Sequence, residues 1–338
     1  MKAVVVSEEA RAVHESALIV DLHNDLLLTS YFLGWDWKRH HRPNPLPGAA
    51  LLGHCDLPRL RAGNIGCLGL GVVVNPLRGR SGPDAIRRDL DQMKREADEA
   101  PDQLVVCGDA TSIRAARAAG KIACFAGLEG AHALHGRLDD LPEFHRRGLR
   151  YVTLTHFSEN EACPPMVGWG SSASRGLSLY GTELVDRLGE LGIVVDLAHV
   201  GREAFREAAK RARKPVFVTH TACNAVYGSP RGLDDDQLVQ VAETGGVIGV
   251  IFVTPFIGGG GVPQVLRHLR HLRDTIGVAH IAIGTDWEGF SLYPSDLSSA
   301  EQLPALTQGL LSDGWSVDEI HAVYGENSLR VIAEVCGS

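Results

Sequence analysis

The chain has 338 residues, 44% of them hydrophobic and 22% charged, with a formal net charge of −8. That makeup belongs to a globular enzyme with a large core, and the acidic balance excludes the clustered basic surface that nucleic-acid binding requires. No stretch approaches the roughly 20 apolar residues needed to span a bilayer, so no membrane-spanning helix is expected.

Along the chain, the opening MKAVVVSEEARAVHESA lacks the apolar core and small-residue cleavage site of a secretory signal. The seven cysteines are scattered with no CxxC pair. Both features lead us to expect reduced thiols in a cytoplasmic protein. Strand-length apolar runs then recur at 18–22, 65–74, 122–128, 151–155, 193–197, 216–218, 247–252 and 281–283. Runs that are apolar throughout, rather than alternating, predict a parallel sheet covered on both faces. Between them, amphipathic segments at 89–99, 180–191, 202–213, 234–243 and 265–275 read as helices, with Gly192 as a stop signal. Eight such repeats predict a closed (β/α)₈ TIM barrel, with residues 1–338 forming one domain.

Several pieces fall outside that repeat. An extra run at 104–107 is assigned to an edge strand or an excursion. Segment 31–58 follows the first run, holds Trp35, Trp37, His40, His41 and several prolines, and is too irregular for a core element; it is a candidate specificity loop. Gly258 to Gly261 lack a following Lys-Ser or Lys-Thr, and no GxGxxG follows the first run, so nucleotide binding has no support. Basic clusters at 38–42 and 146–150 read as solvated faces. Asn327 and Ser328 are placed to cap a closing helix at 329–335.

The chemistry concentrates where apolar runs end. His23 and Asp25 in IVDLHND lie two apart, on the same side of an extended chain, where one cation can be chelated from a single strand end. Glu129 in CFAGLEG ends a run apolar enough to be buried, and a buried carboxylate calls for a partner charge or a metal; it could bridge two ions. The following glycine permits close backbone approach. His199 in VVDLAHV and His220 in VFVTHTA end two further runs with imidazoles, which suit zinc, and His156 in YVTLTHF ends another. Asp286 in IAIGTDWEG is placed to take a proton from an activated water and pass it to a leaving amine; Arg231 in SPRGLDDD is placed to hold a substrate carboxylate. Simpler roles exist for both: Asp286 as a turn cap, Arg231 as an ion-pair partner of Asp234, Asp235 or Asp236. His132, His135, His145, His268, His271 and His321 fall in turns or helices and are mostly expected at the surface.

In this order, HNDL, GLEGAHAL, YVTLTHF, GLSLYGTELVDRLGELGIVVDLAHV, VFVTHTACNAV, PRGLDDDQL, GGVIGV, IGTDWEG and GENSLRVIAEV resemble successive blocks of the membrane dipeptidase (renal dipeptidase) family of zinc peptidases. The resemblance covers about residues 20–335. It implies a barrel with two zinc ions, one held by His23 and Asp25, the other by His199 and His220, with Glu129 bridging. It further implies that His156 contacts the substrate and its developing oxyanion, that Arg231 binds the terminal carboxylate of a dipeptide-like substrate, that Asp286 transfers the proton, and that the protein is a homodimer. The chain departs from the family pattern at Cys67 to Leu70, at 159–165 and at Ile251-Phe252-Val253, departures that suggest an altered pocket around intact ligands. Two other readings remain at this level. A related deacylase or lactonase would more often carry an HxH pair and a modified lysine, and a silent barrel that keeps metal for stability or serves as a scaffold would have no use for Asp286 and Arg231.

Overall fold

The structure, a computed structural model, describes residues 5–42, 53–74 and 82–337. Its strands are β1 (Ile19–Asn24), β2 (Ile65–Val73), β3 (Leu104–Val106), β4 (Ile122–Glu129), β5 (Leu149–Thr153), β6 (Val194–Asp196), β7 (Phe217–Cys223), β8 (Gly232–Leu233), β9 (Val247–Val250) and β10 (Ile281–Ile283). Eight of them close a parallel ring in the order β1-β2-β4-β5-β6-β7-β9-β10, the pairing of β2 with β4 and of β1 with β10 completing it. All eight expected runs are barrel strands. β3 lies outside the ring, as the reading of 104–107 as an edge or excursion anticipated. It pairs with β4 along Ile122 to Cys124, before β5 takes over that edge at Ala126.

Helices form where the amphipathic period was read, with bounds Gly82–Glu99, Leu179–Leu191, Arg202–Arg211, Asp235–Glu243 and Val262–Ile276. Gly192 ends its helix in the left-handed conformation at φ 73°. Apolar residues divide by facing. Ile19, Leu68, Leu70, Val152 and Ile248 join the core between barrel and helices, whereas Val20, Leu22, Cys67, Phe125, Tyr151, Phe217 and Ala282 fill the barrel interior. The helix Asn327–Cys336 adds Leu329, Val331 and Ile332 to that interior cluster. Its Arg330 and Val335 bond to groups just before β9 and β7, so it plugs the amino-terminal end of the barrel. Among the described residues no helix is long and apolar enough to cross a membrane.

Three expectations need correction, on the helix cap, the histidines and the departures from the family pattern. Asn327 and Ser328 do not cap this helix. The chain is already helical through the preceding π-turn Ala322–Glu326, so no free amide awaits a cap, and Asn327 donates instead to the carbonyls of Val278 and Ile281. The described part of 31–58 is irregular as expected, with no helix or strand at 34–42 and 53–56 between the helices Leu26–Leu33 and Leu57–Ala62, and it buries Trp37 completely. The Trp35 indole donates to the Cys55 carbonyl, and the Glu288 carboxylate accepts amide bonds from Gly53, His54 and Cys55, which fixes the segment against the loop after β10. Residues 43–52 of the segment lie outside the described residues. Of the six histidines expected mostly at the surface, only His135 is exposed, and His268 is wholly buried between the Cys223 amide and the Ile257 carbonyl, on the same helix face as Val265 and Leu272. Finally, Cys67, Leu68, Leu70, Ile251, Phe252 and Val253 all sit in the packed core clusters, so these departures from the family pattern change the packing of the core.

Candidate metal centre

The carboxyl ends of β1, β4, β5, β7 and the segments following β6 and β10 bring His23, Asp25, Glu129, His156, His199, His220 and Asp286 to one place. Glu129 is at its centre. Its Oε1 lies 3.0 Å from His199 Nε2, 3.4 Å from His220 Nε2 and 3.6 Å from His23 Nε2, while Oε2 lies 3.6 Å from His156 Nε2. His23 Nε2 is also 3.4 Å from Asp25 Oδ1 and 3.7 Å from Asp286 Oδ1. Two ligand triads share the glutamate: His23, Asp25 and Glu129 on one side, Glu129, His199 and His220 on the other, each with ligand atoms within 4.8 Å of one another. A third grouping joins His23, His220 and Asp286.

Local backbone makes the crowding feasible. A Cβ on Gly71 of β2 would stand 2.4 Å from Asp25 Oδ1, so only glycine leaves room for the first pair. Gly130 turns at φ 100° directly after Glu129, in the space that His132 and His156 close around, as the sequence suggested. His199 and Asp286 themselves adopt φ 67° and 60°, a left-handed conformation that non-glycine residues rarely take and that clusters at functional sites.

The donor set fits divalent cations. Burial pushes Glu129 up to about 8 and Asp286 up to about 7, and a dication would stabilise the charged form of both. Burial, with Arg231 also close to both, holds His199 and His220 well below the ordinary imidazole range, which keeps them in the neutral form that ligates metals. For His23 burial works against the charged ring, but the carboxylates of Glu129 and Asp25 outweigh it and raise the pKa to about 10, the response of an imidazole facing acceptors only. His23 Nε2 and Asp25 Oδ1 are buried with no hydrogen-bond partner. Together these groups fit a binuclear metal site with a shared glutamate.

Arg231 is buried to 1% exposure beside this cluster. It makes no carboxylate pair among the described residues: Asp234 and Asp236 are taken by Arg202, and Asp235 by His271. Its NH groups reach only Met166 Sδ and the His220 carbonyl, and its Nε is unpartnered. Burial draws its pKa down to about 10, so it stays charged at neutral pH.

Sequence reading missed the layer that orients the ligands. Tyr151 Oη lies 2.7 Å from His23 Nδ1. Thr219 Oγ1 lies 2.9 Å from His220 Nδ1 and donates to Asp196, whose carboxylate also accepts from Thr153 Oγ1 and the amides of Ala198 and Thr219. On the other side, Asp21 accepts from the Thr285 amide and hydroxyl, which fixes the turn that carries Asp286. A signal was present: Asp21 and Asp196 are carboxylates inside apolar runs, each in a V-D-L stretch just before a ligand.

Comparison with known proteins agrees with this geometry. The family model for membrane dipeptidase (peptidase family M19) matches residues 7–337. Among solved structures, an M19 metallopeptidase named dipeptidase AC superposes with a TM-score of 0.85 at 26% identity, over 96% of this chain and 100% of that one. A metallopeptidase from Rhodobacter sphaeroides, liganded with a phosphinate mimic of the dipeptide L-Ala-D-Ala, superposes at 0.81 with 25% identity, over 94% and 99%. An amidohydrolase from Pseudomonas aeruginosa shares the fold, with a TM-score of 0.81 at 20% identity over 97% and 99%.

Proposed function

The chain belongs to the membrane dipeptidase family, peptidase family M19, and on that premise we propose that it hydrolyses the amide bond of a dipeptide or modified dipeptide at a pair of zinc ions. The observation that carries this reading is Glu129 Oε1, within 3.0 to 3.6 Å of three imidazole nitrogens, which lets one carboxylate complete two ligand sets. His23 and Asp25 would hold one ion, His199 and His220 the other, and Glu129 both. A donor set of imidazole and carboxylate suits zinc. Bound there, two such cations supply Lewis acidity that polarises the scissile carbonyl and makes water nucleophilic near neutral pH.

The chain's own residues do the rest. Arg231, charged and without a carboxylate partner, takes the terminal carboxylate of the substrate and so sets the scissile bond over the cluster. Asp286 accepts a proton as water adds to the carbonyl, then gives it to the departing amine; the oxygen of the water ends in the new carboxylate. His156, a neutral imidazole 3.6 Å from Glu129, donates a hydrogen bond to the oxyanion that develops in between. Its pKa is held well below the usual range by burial and by Arg231, which suits a donor that need not ionise.

The test uses metal-replete protein and a panel of L,L-, L,D- and modified dipeptides, with lactones and N-acyl amino acids alongside. Asp286→Asn should lower kcat about 10² to 10⁴-fold while metal content stays near two per chain. Cleavage of lactones or N-acyl amino acids with no dipeptide cleaved would overturn the reading. The homodimer that family resemblance suggests is checked by light scattering.

A further inference from the structure

All six exposed aromatic residues among those described, Tyr31, Phe32, Phe157, Trp169, Tyr227 and Phe290, lie in segments that follow the carboxyl ends of barrel strands, on the side where the metal ligands converge. Exposed aromatics scattered singly need no explanation, but six confined to one end of a barrel form a feature of that end. Four of them group into two apolar walls. The first follows β5: the Phe157 ring stands 4.5 Å from the His156 ring and 4.9 Å, edge-on, from the His199 ring. Trp169 is bonded to the Phe157 backbone and is 77% exposed, so the indole faces solvent beside it.

The second wall follows β1 and β10. Phe32 and Phe290 pack edge to face, 6.4 Å apart. Phe290 comes directly after Gly289, whose Cβ position is 3.2 Å from Asp25 Oδ2 and 3.3 Å from Asp286 Oδ1, so this wall also starts at the cluster. In the eight-strand ring β5 stands three strands from β1 and four from β10. The two walls therefore face each other across the barrel mouth, with the cluster between them.

An amide positioned over the cluster carries its two side chains away in opposite directions, toward opposite walls. We infer that the preferred substrate is a dipeptide with a large apolar side chain on each residue, one packed on Phe157 and Trp169, the other on Phe32 and Phe290. The inference rests on the dipeptidase reading and adds the class of dipeptide to it. Burying such a side chain on aromatic surface strengthens binding, whereas a polar or small side chain leaves the walls wet.

The experiment measures kcat and KM of the zinc-loaded protein on Ala-Ala, Phe-Ala, Ala-Phe and Phe-Phe, each as L,L and L,D isomers. Phe-Phe should exceed Ala-Ala by at least about tenfold in kcat/KM, mostly through KM. Phe157→Ala should cut the Phe-over-Ala preference about tenfold at one residue of the dipeptide, and Phe32→Ala at the other. Both side chains are half-exposed, which favours folded variants, and Phe157→Leu with an intermediate loss guards against a folding artefact. Equal or better turnover of Ala-Ala overturns the inference and leaves the dipeptidase reading intact, as does a preference that both variants leave unchanged. Cleavage of none of these, or of any other dipeptide, overturns both.

Discussion

Replacing Tyr151 with phenylalanine removes one buried oxygen and isolates what it does. Tyr151 is 0% exposed, and its hydroxyl has a single partner, His23 Nδ1 at 2.7 Å. A His23 whose Nε2 ligates a cation carries its proton on Nδ1 and donates it to that oxygen, which fixes both tautomer and ring orientation. Deleting the oxygen leaves Nδ1 buried with no partner, at a cost of about 1 to 3 kcal/mol, and opens no void large enough to hold a water. The loss should appear as a lower midpoint in urea unfolding of the chelated protein. Zinc affinity, measured by competition with a chromophoric chelator, should fall roughly 10 to 100-fold. An unfolding free energy within about 0.5 kcal/mol of the parent, together with affinity within about twofold, would refute the idea that this hydroxyl orients the ligand.

His14 gives a pH dependence remote from the cluster. Burial holds its pKa near 4 against the ordinary 6.5, so the unfolded chain binds a proton at pH 5 and the folded one does not. Stability is full above 6.5 and declines as pH falls toward 4, by about 2 kcal/mol at pH 5; His14→Gln should flatten that slope in urea titrations at pH 7 and 5. Gly284→Ala would place a Cβ 1.7 Å from the Thr219 carbonyl oxygen, backbone that cannot swing aside, and should cost about 3 kcal/mol or more in thermal unfolding. Chelation should lower the melting temperature and reloading should restore it, with proton release on loading detectable in weak buffer because Glu129 and Asp286 are held up to about 8 and 7 by burial. A melting temperature indifferent to metal would contradict the assignment of these residues as ligands.

Much of this protein was legible in the chain itself. The eight barrel strands are runs that stay apolar over their length, a pattern set by burial on both faces, and each proposed ligand ends such a run because a parallel barrel delivers its functional groups there. Sequence could not decide which strands meet. That β2 pairs with β4 and leaves β3 outside depends on where β5 begins along a shared edge, a contact between pieces far apart in the chain. The same holds for Tyr151 on His23, Thr219 and Asp196 behind His220, and Glu288 on the 53–55 amides: each is a polar group whose partner arrives from another strand or loop. Trp37 and His268 look like surface residues by local composition and are buried because neighbouring segments close over them. Local sequence therefore determined the elements and the ligand types, through periodicity and burial. Only the closed barrel decided which walls, partners and orientations surround the ligands, because those depend on distances between residues that sequence keeps apart.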